Sequence, residues 1–323
     1  MRIARWRNGA TTGEGFVVED RVVPFPDGLT VAGMLSRGRD GLDDAFSRRV
    51  ESASALLDTV TLLAPLVPAA IRDFVAFEEH VEGISATVDG TSEVVPEWYQ
   101  APTFYFTNPH TVIATGDVLS PPMTERLDFE LEVAAVIGGV AGSDGANLSA
   151  EAAAPHIFGY TIMNDWSARD LQAREMRVRL GPAKGKDFGL TLGPWIVTAD
   201  ELDEFVEDGF LAVRAEVFVN GILIGHDLVS NMGWPFAELV AYASRNSRVV
   251  PGDVLGSGTV GHGGCLGELW GRHGSLTPAP LKTGDEVRMA VEGIGEIVNT
   301  VGDAVRMPPI PPARKRSRER IRP

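Results

Sequence analysis

The sequence predicts a mainly β protein with helical insertions, an α+β chain in which strands dominate. Gly-Asp followed by apolar residues recurs at Gly116-Asp117-Val118-Leu119, Gly252-Asp253-Val254-Leu255 and Gly284-Asp285-Glu286-Val287, and each reads as a turn entering a strand. The 36 glycines in 323 residues are enough to divide many short strands. From about residue 100 to 305 such apolar runs follow one another without the long internal period of a solenoid or propeller.

In chain order, Gly15–Val18 and Arg21–Pro24 read as short strands. Apolar residues at helical spacing predict an amphipathic helix over Leu42–Leu63 and a shorter one from about Ile71 to Val81. Pro96 and Pro102 bracket the passage into the β-rich region, where Asp128–Gly138 has strand composition. Gly159–Met163 reads as a strand ending at Asn164-Asp165, with a helix starting at Trp166. Helical insertions are expected at Ser149–Ala154, Ser167–Val178 and Phe236–Ser244, the last behind Pro235. The expected division is a small N-terminal α+β domain over 1–95, with a helix carrying Asp73 and His80, a catalytic β domain over 96–306, and a disordered Pro-rich, basic tail over 307–323.

Charge removes whole classes of function. The 29 Lys and Arg against 44 Asp and Glu give −15, and the six basic residues of the tail against Glu319 give +5, so residues 1–313 carry −20. A nucleic-acid binder needs the opposite sign. A lone Cys265 excludes a disulfide framework and suits a reducing cytoplasm. The longest uncharged apolar stretch, Thr59–Ile71, is broken by Pro65 and Pro68 and falls short of the ~20 residues of a membrane span. A soluble cytoplasmic protein without nucleic-acid or membrane partners is expected.

Four placements draw attention to chemistry. Glu130 and Glu132 are two apart on a strand and share a face with Ala134 and Val136, opposite Leu131, Val133, Ala135 and Ile137. If both faces are buried, the pair shares a proton or binds a cation; if the strand is an edge, they face water. Asp165, Arg169 and Gln172 fall at i, i+4 and i+7, able to grip a metal and a carbonyl-rich anion, or simply to form a cap and a surface ion pair. Lys186 lies in a glycine-flanked loop without Walker A spacing, free to stabilise an enolate or merely exposed. Asp73, Phe77 and His80 repeat the i, i+4, i+7 pattern. With no paired-histidine zinc motif, an all-oxygen carboxylate set suits Mg²⁺, Mn²⁺ or Ca²⁺.

Together these segments resemble the fumarylacetoacetate hydrolase family over about residues 70 to 300. The likeness rests on Met163-Asn164-Asp165-Trp166-Ser167-Ala168-Arg169-Asp170-Leu171-Gln172, Leu180-Gly181-Pro182, Gly185-Lys186-Asp187-Phe188, Pro194-Trp195, the Glu130-x-Glu132 element, Gly256-Ser257-Gly258-Thr259-Val260 and Gly267-Glu268-Leu269. The resemblance implies a mixed β-roll or β-sandwich catalytic domain, usually dimeric, with a smaller N-terminal part. It implies Glu130, Glu132, Asp165 and Asp73 as ligands of a divalent cation, Mg²⁺ foremost, and His80 as the base partnered by Glu268. It further implies Lys186 as the enolate-stabilising group, and Arg169, Gln172 and Thr259 as substrate contacts. Val75, Met176 and Leu190 stand where one branch of the family carries two tyrosines and a threonine, although Thr191 is adjacent to the last. The implied activity is metal-dependent carbon–carbon bond hydrolysis of an acylpyruvate or other β-diketo 2-oxo acid. Decarboxylation, isomerisation or dehydration on the same fold is the alternative, and a non-catalytic cation-binding β domain is the rival from outside enzymology.

Overall fold

The computed structural model describes residues 1–88 and 93–314. The chain opens with strands β1 (Arg2–Asn8), β2 (Thr11–Val18) and β3 (Arg21–Pro24), helices α1 (Val31–Arg37) and α2 (Leu42–Ser47), and short strands β4 (Ala55–Leu56) and β5 (Thr61–Leu63). β6 (Ile71–Phe74) precedes α3 (Glu78–Val88). Next come β7 (Phe104–Thr107), β8 (Val112–Ile113), β9 (Val118–Leu119), β10 (Leu127–Asp128), β11 (Leu131–Ile137), α4 (Ala150–Ala153), β12 (Ile157–Asp165), β13 (Ser167–Ala168), α5 (Arg169–Met176) and β14 (Leu190–Thr198). The last part holds β15 (Val206–Glu207), β16 (Phe210–Leu211), β17 (Arg214–Val219), β18 (Ile222–Leu228), α6 (Phe236–Ala243), β19 (Val254–Gly256), α7 (Leu266–His273), β20 (Glu286–Val291) and β21 (Gly295–Val301).

A large sheet runs in the order β4-β3-β2-β1-β14-β12-β11-β19-β6-β7, with β5 on β1 and β8 on β14. A second sheet has the order β18-β17-β20-β21-β9. Strands from residues 1–95 and 96–306 therefore share one sheet, joined where Ile3 of β1 pairs with Ile196 of β14 and where β19 runs parallel to β6. No described helix is long and apolar enough to cross a membrane.

The three Gly-Asp turns use one local device. Gly116, Gly252 and Gly284 all have φ near +90°, a conformation that only glycine adopts cheaply. The following Asp117, Asp253 and Asp285 each accept a hydrogen bond from the N–H three residues before them, at Ala114, Val250 and Lys282. Strands β9, β19 and β20 begin within a residue of these turns.

β11 is central and buried on both faces. Leu131, Val133, Ala135 and Ile137 enter a core shared with β17, β20, β21 and α6, whereas Ala134 and Val136 enter a separate core with Ile3, Phe16, Met34 and Phe158. Glu132, of the same parity as Ala134, thus points inward near one end of the second core. The edge-strand reading is excluded, because both Glu130 and Glu132 are buried.

Two expected helices require correction. Leu42–Leu63 is helical only over Leu42–Ser47; the remainder forms single 3-10 turns and the short strands β4 and β5, which pair at the sheet margin. Ile71–Val81 is a strand followed by a helix, because Ile71 to Phe74 hydrogen-bonds between β19 and β7 before α3 starts at Glu78. Asp73 therefore lies on β6 and His80 on α3, not on one helix face. The helix expected from Trp166 starts at Arg169, and Asp165 ends β12. The insertions near Ser149 and Phe236 appear as expected, Ser149 capping α4 through its side chain and Pro235 preceding α6. The basic end of the expected tail, 315–323, lies outside the described residues.

Candidate active site

Four carboxylates converge from neighbouring strands of the large sheet. Asp73 sits on β6, Glu132 on β11, Asp165 at the end of β12 and Glu130 just ahead of β11, and all four are buried. Gly256 of β19 pairs with Asp73 and lies between them: a Cβ there would come within 2.8 Å of Glu132 Oε2 and 2.9 Å of Asp73 Oδ1. The absent side chain is what lets the two carboxylates close over the strand. Gly258 N–H then donates to Glu132 Oε2 at 3.1 Å, and Thr259, the next residue, is buried.

Two cations answer this negative charge. Lys186 Nζ contacts Asp165 Oδ2 at 2.7 Å and also Glu130 Oε2. Arg169 pairs with Glu130 Oε1 and Asp128 Oδ2, both at 2.8 Å, and donates to Gln172 Oε1 at 3.1 Å. Lys186 is thus buried within the site, not an exposed loop lysine. Arg169 and Gln172 share the first turns of α5 as expected, but Asp165 ends β12, where it bonds to Lys186 and Tyr105.

The charges do not balance locally. Burial raises the pKa of Asp73 and Glu132 well above the carboxylate range; Asp165 adds to the rise at Asp73 against the hydrogen bond with Glu132, and Asp73 and Glu130 add to it at Glu132. Burial also raises Asp165, against the pull of Lys186. Glu130 goes the other way: burial opposes ionisation, but Lys186 and Arg169 outweigh it and hold the group at about 2. Three buried carboxylate oxygens, Asp73 Oδ1, Glu132 Oε1 and Asp165 Oδ1, have no hydrogen-bond partner. Ligand oxygens of Asp73, Glu130 and Glu132 lie within 4.8 Å of one another. Buried, partnerless, oxygen-only donors fit a hard divalent cation.

His80 is buried beside this cluster, and burial lowers its pKa to about 4, so the ring is neutral at pH 7. Its Nδ1 lies 3.7 Å from Cys265 Sγ. Glu268, on α7, packs against Gly83 one turn after His80, where a Cβ would overlap its Cγ at 2.4 Å. Its Oε1 pairs with Arg272 at 3.0 Å while Oε2 has no partner, and burial lifts its pKa to about 7. The expected His80–Glu268 pair is therefore placed on two packed helices, but the contacts recorded are His80 to Cys265 and Glu268 to Arg272.

Four participants were not expected. Tyr105 on β7 donates its hydroxyl to Asp165 Oδ2 and lines a cleft of about 310 Å³ that ends at Lys186. Asp128 accepts from the N–H groups of Leu266 and Gly267, each at 2.8 Å, so it ties the start of α7 to Arg169. Cys265 caps α7 by accepting from Glu268 N–H. Arg272 holds Glu268. The sequence signals available for these were the position of Asp128 two residues before Glu130 and the i, i+4 spacing of Arg272 from Glu268.

Residues 69–302 match the profile of the fumarylacetoacetate (FAA) hydrolase C-terminal family. The chain is 32% identical over 283 residues to fumarylacetoacetase of Arabidopsis thaliana, covering 72% of this chain and 66% of that protein. It is 31% identical over 215 residues to oxaloacetate tautomerase YisK of Bacillus subtilis, covering 66% of this chain and 64% of the relative. The matches thus span about two thirds of the length of these relatives. Among solved structures, maleylpyruvate hydrolase from Sphingobium sp. SYK-6, in complex with manganese(II) and pyruvate, superposes with a TM-score of 0.66 at 20% identity, covering 94% of this chain and all of that one. With the matched profile covering most of its length, the chain belongs to the fumarylacetoacetate hydrolase family.

Proposed function

We propose that the protein is a divalent-cation-dependent hydrolase that cleaves a carbon–carbon bond in an acylpyruvate-type β-diketo 2-oxo acid. The observation that carries this is the buried carboxylate cluster with three partnerless oxygens beside a neutral histidine. A cation, Mg²⁺ or Mn²⁺, held by Asp73, Glu130, Glu132 and Asp165 would supply Lewis-acid polarisation of the substrate oxygens. The manganese and pyruvate in the Sphingobium structure support that reading of the fold.

His80 takes a proton from water, whose oxygen bonds to the distal carbonyl carbon. The resulting tetrahedral centre collapses, the carbon–carbon bond breaks, and its electron pair leaves as the enolate of the 2-oxo acid. Lys186 stabilises that enolate, and protonation at carbon gives one carboxylic acid and one 2-oxo acid. Glu268, near half-ionised at neutral pH, serves as the second proton acceptor. Arg169, Gln172 and Thr259 hold the substrate carboxylate and keto oxygens. The same reading has the enzyme working as a cytoplasmic homodimer.

A second reading has a specific basis: the likeness to an oxaloacetate tautomerase, together with a His80 that faces Cys265, would suit proton transfer within one substrate without water addition. A panel of 2,4-dioxo acids with Mg²⁺, Mn²⁺ or chelator separates the two. Hydrolysis predicts cation-dependent loss of the diketone absorbance and two acid products; products of unchanged mass support the second reading.

A further inference from the structure

The cleft that leads to the carboxylate cluster is lined by Tyr105, Phe106, Thr107, Asn108 and, across from them, Pro182, Ala183, Lys186 and Asp187. Its inner end is set by Tyr105 and Lys186, both bonded to Asp165. A substrate whose 2-oxo acid end lies at the cluster can extend its other arm along this wall. Only two lining residues carry charge. The Lys186 ammonium is committed to Glu130 and Asp165. Asp187 is the other, and it lines the cleft together with Phe106, Pro182 and Ala183.

Asp187 is also paired with a cation three residues before it. Lys184 is largely exposed, yet its Nζ is held at 2.8 Å by Asp187 Oδ2 and at 2.7 Å by the Asp187 carbonyl. The other oxygen, Oδ1, accepts from Asn108 Nδ2 at 2.7 Å and so links the two walls of the cleft. A second carboxylate on the substrate arm would meet the Asp187 carboxylate, and the Lys184 ammonium, already shared between two oxygens of Asp187, is not left over to hold that arm. Like charges brought together in a partly desolvated cleft cost enough to change selectivity by an order of magnitude or more.

We infer that Asp187 is a specificity-determining residue that selects 2,4-dioxo acids with an uncharged alkyl or aryl arm and rejects those whose arm ends in a second carboxylate. This rests on the hydrolase reading above and narrows it. It sets the chain apart from an enzyme built for a dicarboxylic diketone.

The test compares kcat/KM for 2,4-dioxoheptanoate and for 2,4-dioxoheptanedioate, its terminal-carboxylate analogue, with saturating Mg²⁺ or Mn²⁺. The wild type should favour the uncharged analogue by about tenfold or more. Asp187→Asn removes the negative charge and releases Lys184, so the ratio should move toward the dicarboxylate. Lys184→Gln, a change at an exposed side chain, leaves Asp187 uncompensated and should raise the preference for the uncharged analogue, which keeps the inference testable if the Asp187 variant folds poorly. Equal or greater activity on the dicarboxylate by the wild type, or a ratio unmoved by both substitutions, overturns the inference while leaving the hydrolase reading in place. Cleavage of neither analogue overturns both.

Discussion

Gly256→Ala should damage the proposed cation site without replacing any of the four carboxylates assigned to it. The added Cβ would lie 2.2 Å from Met163 Cε, 2.8 Å from Glu132 Oε2 and 2.9 Å from Asp73 Oδ1, whereas ordinary contact begins at 3.4 Å. The two carboxylates must then retreat by about 0.5 Å, because close-packed surroundings offer no other direction of relief. Met163 is fully buried and packed in the second core, so it cannot swing away freely. Overpacking of this kind costs about 1 to 3 kcal/mol of stability. Displacement of two proposed ligands beyond the roughly 0.2 Å tolerance of a metal site should lower cation affinity by about 10- to 100-fold. Manganese titration followed by electron paramagnetic resonance reads the affinity, and urea unfolding reads the stability. A variant with wild-type manganese affinity would refute the placement of Asp73 and Glu132 as joint ligands across Gly256.

Further outcomes follow from the surrounding groups. Because Glu268 titrates near 7 and must be ionised to accept a proton, kcat should rise with pH through an acid limb near 7, and Glu268→Gln should flatten that limb and lower kcat by about 100-fold or more. The stability effect of the same group has the opposite slope: its folded pKa lies above the unfolded value, so its contribution is fully present below about 4.5 and is lost as pH rises through about 7. Urea unfolding with chelator, compared between wild type and Glu268→Gln, measures it. Asp128→Asn should cost about 3 kcal/mol or more, since it breaks a buried ion pair and disturbs the acceptor for two N–H groups of α7. A loss below about 1 kcal/mol in urea unfolding would contradict that role.

The parts of the site legible in the sequence were those set by local period. The alternation along β11 places Glu132 inward because strand side chains repeat every two residues and both neighbouring faces are apolar, and Glu130, just ahead of the strand, is buried as well. The Gly-Asp turns were legible because a positive φ and an Asx hydrogen bond are properties of four residues. Asp73 was misplaced because i, i+4, i+7 spacing is met as well by a four-residue strand and the helix after it. Leu42–Leu63 failed for a related reason: its later apolar residues serve pairing with β1 and β3, partners far away in the chain. Tyr105 carries no local signature, since it acts on Asp165, a group brought to it by tertiary folding, whereas Arg272 stands four residues after Glu268 on α7, a local spacing that sequence reasoning missed.

The central claim is that water is added across a carbon–carbon bond at the cation-loaded carboxylate cluster. Turnover of 2,4-dioxoheptanoate in ¹⁸O-labelled water, with Mn²⁺ present and the products resolved by mass spectrometry, tests it directly. The account predicts one ¹⁸O in the carboxylic acid released from the acyl arm, and no such product with chelator or with Glu132→Gln. Turnover that yields only an unlabelled isomer of the substrate, or labelled acid that forms equally well in chelator, would contradict it.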